Sequence, residues 1–147
     1  MSASTREIVG MTIARTARMW RHKLDERLSP LGLTQARWLV LMHLSRMGGE
    51  APQKELAISV GVEGPTLVRV LDGLERLGLV LRVGVEGDRR ARRVCLTPKA
   101  DSVISDIMRI GANLRAEALL GITDAELESF YHVLETIMAN LAAAPPE

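Results

Sequence analysis

Two helical patterns lie only four residues apart in the middle of this chain, and a hairpin pattern follows them at once. No other feature limits the possible folds as much. Pro52 suits the first turn of a helix that continues through Lys54-Glu-Leu-Ala-Ile-Ser-Val60 to a turn at Gly61. The next helix is predicted from Pro65 to about Leu77, with Gly78 where a left-handed cap is wanted. Small Ala57 permits close approach, and the pair has the pattern of a helix-turn-helix. Gly78-Leu-Val-Leu-Arg-Val-Gly84 and Val94-Cys-Leu-Thr97 read as strands, being apolar and β-branched between glycines and a proline. The hairpin makes this a winged helix-turn-helix.

The turn of that hairpin carries Asp88-Arg89-Arg90-Ala91-Arg92-Arg93, four arginines in five residues. Like charges crowded on one loop repel, phosphates relieve the repulsion, and arginine grips phosphate through its planar fork. The bland alternative is a solvated turn part-neutralised by Glu86 and Asp88. On a helical wheel, residues 65–77 place Leu67, Val70, Leu71, Leu74 and Leu77 on one face and Pro65, Arg69, Asp72 and Arg76 on the other. The polar face suits a major groove, where Arg69 would pair with guanine and Thr66 or Val68 would touch a thymine methyl. Asp72 is expected to orient Arg69 and Arg76. Alone, this face also fits a surface helix laced with ion pairs; helix, tight turn, arginine-faced helix and arginine-tipped hairpin in succession favour double-stranded DNA. Arg69 would then specify bases, with Arg89, Arg90, Arg92 and Arg93 on phosphates or in the minor groove.

The flanks are helical. Val9, Ile13, Ala17, Trp20, Leu24 and Leu28 recur every three or four residues from about Arg6 to Leu28, before Ser29-Pro-Leu-Gly32 ends the pattern. Thr34 caps a helix to about Met47, stopped by Gly48-Gly49. After Thr97-Pro98 a fifth helix carries Val103, Ile107, Ile110 and Leu114. Thr123 caps a sixth with Leu127, Phe130, Leu134, Ile137 and Leu141 in coiled-coil rhythm. The expected fold is mainly α with a small β-hairpin wing in a single chain of 147 residues, residues 143–147 forming a frayed tail.

Net charge is only +1, so a nucleic-acid surface must come from local clustering; sixteen arginines against three lysines suit bidentate recognition. Nothing resembles a signal peptide or a membrane span, which leads us to expect a cytoplasmic protein without membrane partners. The lone Cys95, between Val94 and Leu96, reads as an inert core thiol, with a redox sensor as the alternative. His22, His43 and His132 are scattered, and no spacing supports a metal site, a catalytic group or a cofactor.

These residues resemble the MarR family of winged-helix transcription regulators, most closely its SlyA-type branch, over nearly the whole chain. The resemblance rests on Leu33-Thr-Gln-Ala-Arg-Trp38, Leu56-Ala57 with Gly61, Glu63-Gly-Pro-Thr-Leu-Val-Arg69, Leu71-Asp-Gly-Leu-Glu75, Gly78-Leu-Val80, Asp88-Arg-Arg-Ala-Arg-Arg93 and Leu96-Thr-Pro-Lys-Ala100. It implies a winged helix-turn-helix lobe over 34–97, dimerisation helices over 6–31 and 98–142, and a homodimer on a pseudo-palindromic operator. It further implies that Arg69 works from the recognition helix, that Asp88 and Arg89 sit at the wing tip, and that Arg89 or Arg90 enters the minor groove. Family members respond to small phenolic or aromatic carboxylate ligands, and residue matching assigns Arg18, Arg21 and Trp38 to that pocket, with Met42 where close relatives carry a histidine. Arginine would pair with the carboxylate and Trp38 would wall the ring. A core position for Trp38 and an exposed helix face for Arg18 and Arg21 remain open. The expected function is that of a ligand-responsive transcription regulator, such as a repressor. The alternative is a winged-helix protein that binds a protein or small molecule without touching DNA.

Overall fold

A computed structural model describes residues 4–143 and 145. The chain divides into two compact units, the first ending at Leu114 and the second beginning at Arg115. Of the expected tail, Ala144, Pro146 and Glu147 lie outside the described residues.

Helix α1, Thr5–Leu28, opens on a capping box: the Ser4 backbone N–H donates to Glu7 Oε2 at 2.6 Å, and the Glu7 N–H donates to Ser4 Oγ at 3.3 Å. Along its apolar stripe Val9 is exposed, Ile13, Ala17 and Trp20 are half-buried, Leu24 packs on the core and Leu28 is fully buried. After a 3-10 turn at Ser29–Leu31, Thr34 caps α2, Gln35–Arg46, as its spacing predicts. Trp38, Val40, Leu41 and Leu44 of α2 enter the core with Leu56, Leu67, Leu71 and Leu74.

The helix-turn-helix is α3, Gln53–Val60, and α4, Gly64–Arg76. Gly61 supplies the left-handed residue at φ +80° that ends α3, and its N–H donates back to the Ala57 carbonyl at 2.9 Å. His43 on α2 and Ser59 on α3 share a 2.9 Å hydrogen bond between Nδ1 and Oγ, tying the two helices together. Gly73 is buried in α4 beneath the Arg37 guanidinium; a Cβ there would lie 2.6 Å from Arg37 Nη2, so glycine allows the side chain to cross the helix.

The sheet has three antiparallel strands in the order β1-β3-β2: β1 is Glu50–Pro52, β2 is Val80–Val85 and β3 is Asp88–Leu96. Strand β1 was not expected. Its three residues carry no strand pattern, and they become a strand because Ala51 pairs with buried Val94 across the sheet. Pro52 therefore ends an edge strand and caps α3 from outside, one residue before the helix it was expected to join.

The four wing arginines are also displaced from expectation. The turn itself is Glu86-Gly87, with Gly87 at φ +81°, and Arg89, Arg90, Arg92 and Arg93 all lie on β3, which starts six residues before the apolar run. Cys95 is half-buried instead of inside the core; it stands opposite Glu50, with its thiol donating to Glu50 Oε2 at 3.8 Å.

Helix α5, Pro98–Ala118, buries Ala100, Ile104, Ile107 and Leu114. In the second unit, α6, Asp124–Ala143, begins with a reciprocal Thr123–Glu126 box in which the Thr123 N–H donates to Glu126 Oε2 at 2.8 Å. Those hydrogen bonds, the backbone one foremost, hold the Glu126 carboxyl below its ordinary range.

Candidate nucleic-acid interface

Helix α4 is amphipathic because its apolar residues fall on one stripe. Leu67, Leu71 and Leu74 are completely buried, and Pro65, Val68, Arg69 and Arg76 are exposed, with Thr66 half-buried beside them. Among the described residues, neither Arg69 nor Arg76 has an ion-pair partner. Both guanidiniums are free to meet an external acceptor.

Asp72 does not pair with them as expected. Its Oδ1 accepts from Arg82 Nη2 at 2.6 Å, and Glu75 Oε2 accepts from the same Nη2 at 2.6 Å and from Arg82 Nε at 3.2 Å. Arg82 sits on β2, ten residues along the chain from Asp72, and its side chain is only 20% exposed. The paired hydrogen bonds hold the Glu75 carboxyl below its ordinary range and push the Arg82 guanidinium above its own. Sequence reasoning passed over Arg82 as one polar position in a strand. The available signal was that it is the lone charge between Gly78 and Gly84, following two acids spaced i, i+3 on a helix.

The wing sorts its arginines by what the fold already does with them. Asp88 shapes the turn: its Oδ1 accepts the backbone N–H groups of Arg90 at 2.9 Å and Ala91 at 3.2 Å, an Asx-type arrangement. Gly84 pairs with Arg92 and Val85 with Asp88, so Arg89, Arg90 and Ala91 form a bulge with no partner on β2. Arg92 turns its Nη1 back onto the carbonyls of Arg89 at 3.1 Å and Ala91 at 3.0 Å. Arg93 reaches Glu50 of β1, Nη2 to Oε1, at 3.3 Å. The side chains of Arg89 and Arg90 are exposed and carry no hydrogen bond or ion pair among the described residues. A cleft of about 600 Å³ separates this strand from α3 and the start of α4, with Gln53, Ile58, Leu67, Arg90 and Arg92 in its walls.

Of the four residues matched to a ligand pocket, two line one groove. Arg18 and Arg21 share an open groove of about 550 Å³ with Met19, His22, Asp25 and Gln35. Trp38 and Met42 do not line it: Trp38 is a core residue, 7% exposed, and Met42 packs half-buried against the same core. The indole Nε1 of Trp38 is buried without a hydrogen-bond partner among the described residues.

A recognition helix with an unpaired arginine face, set beside a β-hairpin whose bulge presents two more, defines a winged helix-turn-helix protein. A family model for the MarR family matches residues 31–91. The solved structure of the transcriptional regulator PA3341 is 54% identical, with a TM-score of 0.82, covering 92% of this chain and 99% of that one. A MarR-family transcriptional regulator from Silicibacter pomeroyi is 29% identical over 98% of this chain and 100% of its own, with a TM-score of 0.77. A MarR variant from E. coli, solved in complex with operator DNA, is 27% identical over 92% of this chain and 99% of its own, with a TM-score of 0.79. The chain belongs to the MarR family. Its relatives in that family are transcription regulators. No helix among the described residues is long and apolar enough to cross a membrane.

Proposed function

We propose that the protein is a homodimeric, ligand-responsive regulator, with repression as its mode of action, that reads a pseudo-palindromic operator in the cytoplasm. The observation that carries this reading is a set of guanidiniums without partners among the described residues, Arg69 and Arg76 on α4 and Arg89 and Arg90 on the wing, within one lobe. Arg69 reads a guanine edge while Pro65, Thr66 and Val68 approach neighbouring bases, and Arg76 with the wing arginines meets phosphates or the minor groove. The E. coli relative solved with operator DNA supports duplex DNA as the partner.

Dimerisation is supported by apolar side chains left in water. Met11 on α1 is 75% exposed; in the second unit, Leu120 is 86% and Leu141 70% exposed, and Phe130 and Tyr131 more than half. A monomer has no reason to keep such residues in these positions, whereas a partner copy would cover them. Two copies related by a two-fold axis would set two recognition helices on half-sites about one helical turn apart.

For the effector, Arg18 and Arg21 carry no ion pair among the described residues and share a groove, which suits a small aromatic carboxylate. Trp38 and Met42 complete that site only if ligand binding opens the packing between the groove and the core. An effector bound there would shift the spacing of the two recognition helices, so that both no longer fit one operator.

The test is selection of bound fragments from random duplex DNA, with and without salicylate, alongside sedimentation of the free protein. Recovery of an inverted repeat, a sedimenting mass of two chains, and loss of enrichment with salicylate are expected. Failure to enrich any sequence at low salt would overturn the DNA reading. Enrichment that salicylate leaves unchanged would overturn the Arg18–Arg21 assignment for aromatic carboxylates.

A further inference from the structure

Among the described residues, the ion pairs that join the recognition helix to the wing all belong to one side chain, Arg82. We propose that Arg82 is a positioning residue for DNA reading: by gripping Asp72 and Glu75 it sets the wing's angle to α4, and it masks two carboxylates that flank Arg69 and Arg76. The proposal deepens the operator-reading function and rests on it.

Four observations support this role. First, the chain that joins α4 to β2 is short, Leu77-Gly-Leu79, with Gly78 at φ +75° and the Leu79 N–H donating to the Leu74 carbonyl at 3.0 Å, so helix and strand meet closely enough for one side chain to bridge them. Secondly, Arg82 is anchored at its own backbone, since it pairs in register with Val94, which is fully buried. From that fixed point its guanidinium spans Asp72 and Glu75, on successive turns of α4, with two contacts of 2.6 Å and one of 3.2 Å. Thirdly, among the described residues every side-chain hydrogen bond or ion pair between α4 and a wing strand runs to Arg82, whose backbone N–H also donates to Glu75 Oε1 at 3.4 Å; Arg93 is tied instead to β1, and Arg92 to its own strand. Fourthly, Asp72, Glu75, Arg76 and Arg82 line one shallow hollow, so the acids lie beside an arginine of the DNA-facing side.

The charges make the role testable. Without Arg82, the two acids would cancel Arg69 and Arg76 and repel phosphates arriving at the last turns of α4. With it, the cluster of five charged groups is net positive, although Arg82 itself is only 20% exposed. If Arg82 were simply one more phosphate ligand, removing its two partners would free it and strengthen binding to every duplex. If it positions the wing, removing them strengthens non-specific binding through the lost negative charge and weakens the operator's advantage, because the major-groove and wing contacts lose their common frame.

The experiment compares Asp72→Asn/Glu75→Gln with the parent on the selected operator and on a random duplex of equal length, by fluorescence anisotropy. The expected result is a several-fold gain in affinity for random DNA, with an operator-to-random ratio about tenfold lower. Arg82→Ala should lower the same ratio without the non-specific gain, and Arg82→Lys should restore it only in part, because an ammonium lacks the planar fork. Should the double variant unfold in a thermal melt, Glu75→Gln alone serves, since Arg82 keeps its bond to Asp72. An unchanged or raised ratio in the folded variants would overturn the proposal. A parent protein that does not distinguish operator from random DNA would instead overturn the operator reading on which the proposal rests.

Discussion

Two of the four wing arginines should carry most of the wing's salt-dependent affinity, because intramolecular partners engage the other two. Among the described residues, the guanidiniums of Arg89 and Arg90 have no partner and lie on a bulge, whereas Arg92 is folded onto two carbonyls and Arg93 shares its charge with Glu50. Each phosphate neutralised on duplex DNA contributes about 0.9 to the slope of log K against log salt. Replacing Arg89 and Arg90 by alanine removes two such contacts per wing, hence four in the proposed dimer, and should flatten the slope by about 3.6. Between 1 M and 0.1 M salt that is between three and four decades of affinity, roughly 5 kcal/mol as an upper bound, since some contacts will be water-mediated. Replacing Arg92 and Arg93 should flatten the slope by less than about half as much, because their charges are already partly engaged. Anisotropy titrations of both double variants on operator and random duplexes, across a range of potassium chloride concentrations, give the two slopes directly. All four residues lie outside the core, so thermal stability should change little and cannot account for a difference. An equal or larger effect of the Arg92/Arg93 pair would refute the idea that intramolecular partners decide which arginines reach DNA.

Arg69→Ala should relax base preference at one position in each half-site and cost about 1–3 kcal/mol on the preferred sequence, read by repeating the selection; an unaltered consensus would remove it from base recognition. Leu74→Ala, at a position with no exposure on α4, should destabilise the fold by about 2–5 kcal/mol in chemical denaturation. A loss below about 1 kcal/mol would mean the recognition helix is not held by its apolar face. The Thr123–Glu126 box predicts a pH effect whose sign follows from the lowered Glu126 carboxyl. Its contribution is present above the ordinary value near 4.5 and fades as pH falls through the lower folded value. Glu126→Gln should therefore flatten the acid limb of stability against pH, and a variant that tracks its parent below pH 4.5 would show that the box contributes nothing.

Most of the element order was legible in the residues. Helices are local objects: spacings of three and four, Thr34 and Thr123 as caps, Pro65 near a start, and Gly61 and Gly78 at ends all act within a turn or two. Strand β1 was invisible because nothing in Glu50-Ala51-Pro52 prefers a strand until β3 lies alongside. The true extent of β3 was hidden for a related reason, since the expected strand followed the apolar run and the charged half continues only through pairing with β2.

The same division holds at the candidate site. Charge density along the chain marked Arg89 to Arg93 as a cationic segment, and the helical period placed Arg69 and Arg76 on one face. Which of those cations stay free could not be read there, because the partners are remote: Glu50 lies 43 residues from Arg93, and Arg82 ten from Asp72. Likewise Trp38 occupies a position that a pocket wall and a core residue fill equally well in sequence, and only packing among α2, α3 and α4 puts it inside. Periodicity and turn chemistry are short-range and fall within the reach of neighbouring residues. Ion pairing depends on strand register and on a few ångströms through space, and so it emerges only when the sheet and the helices have met.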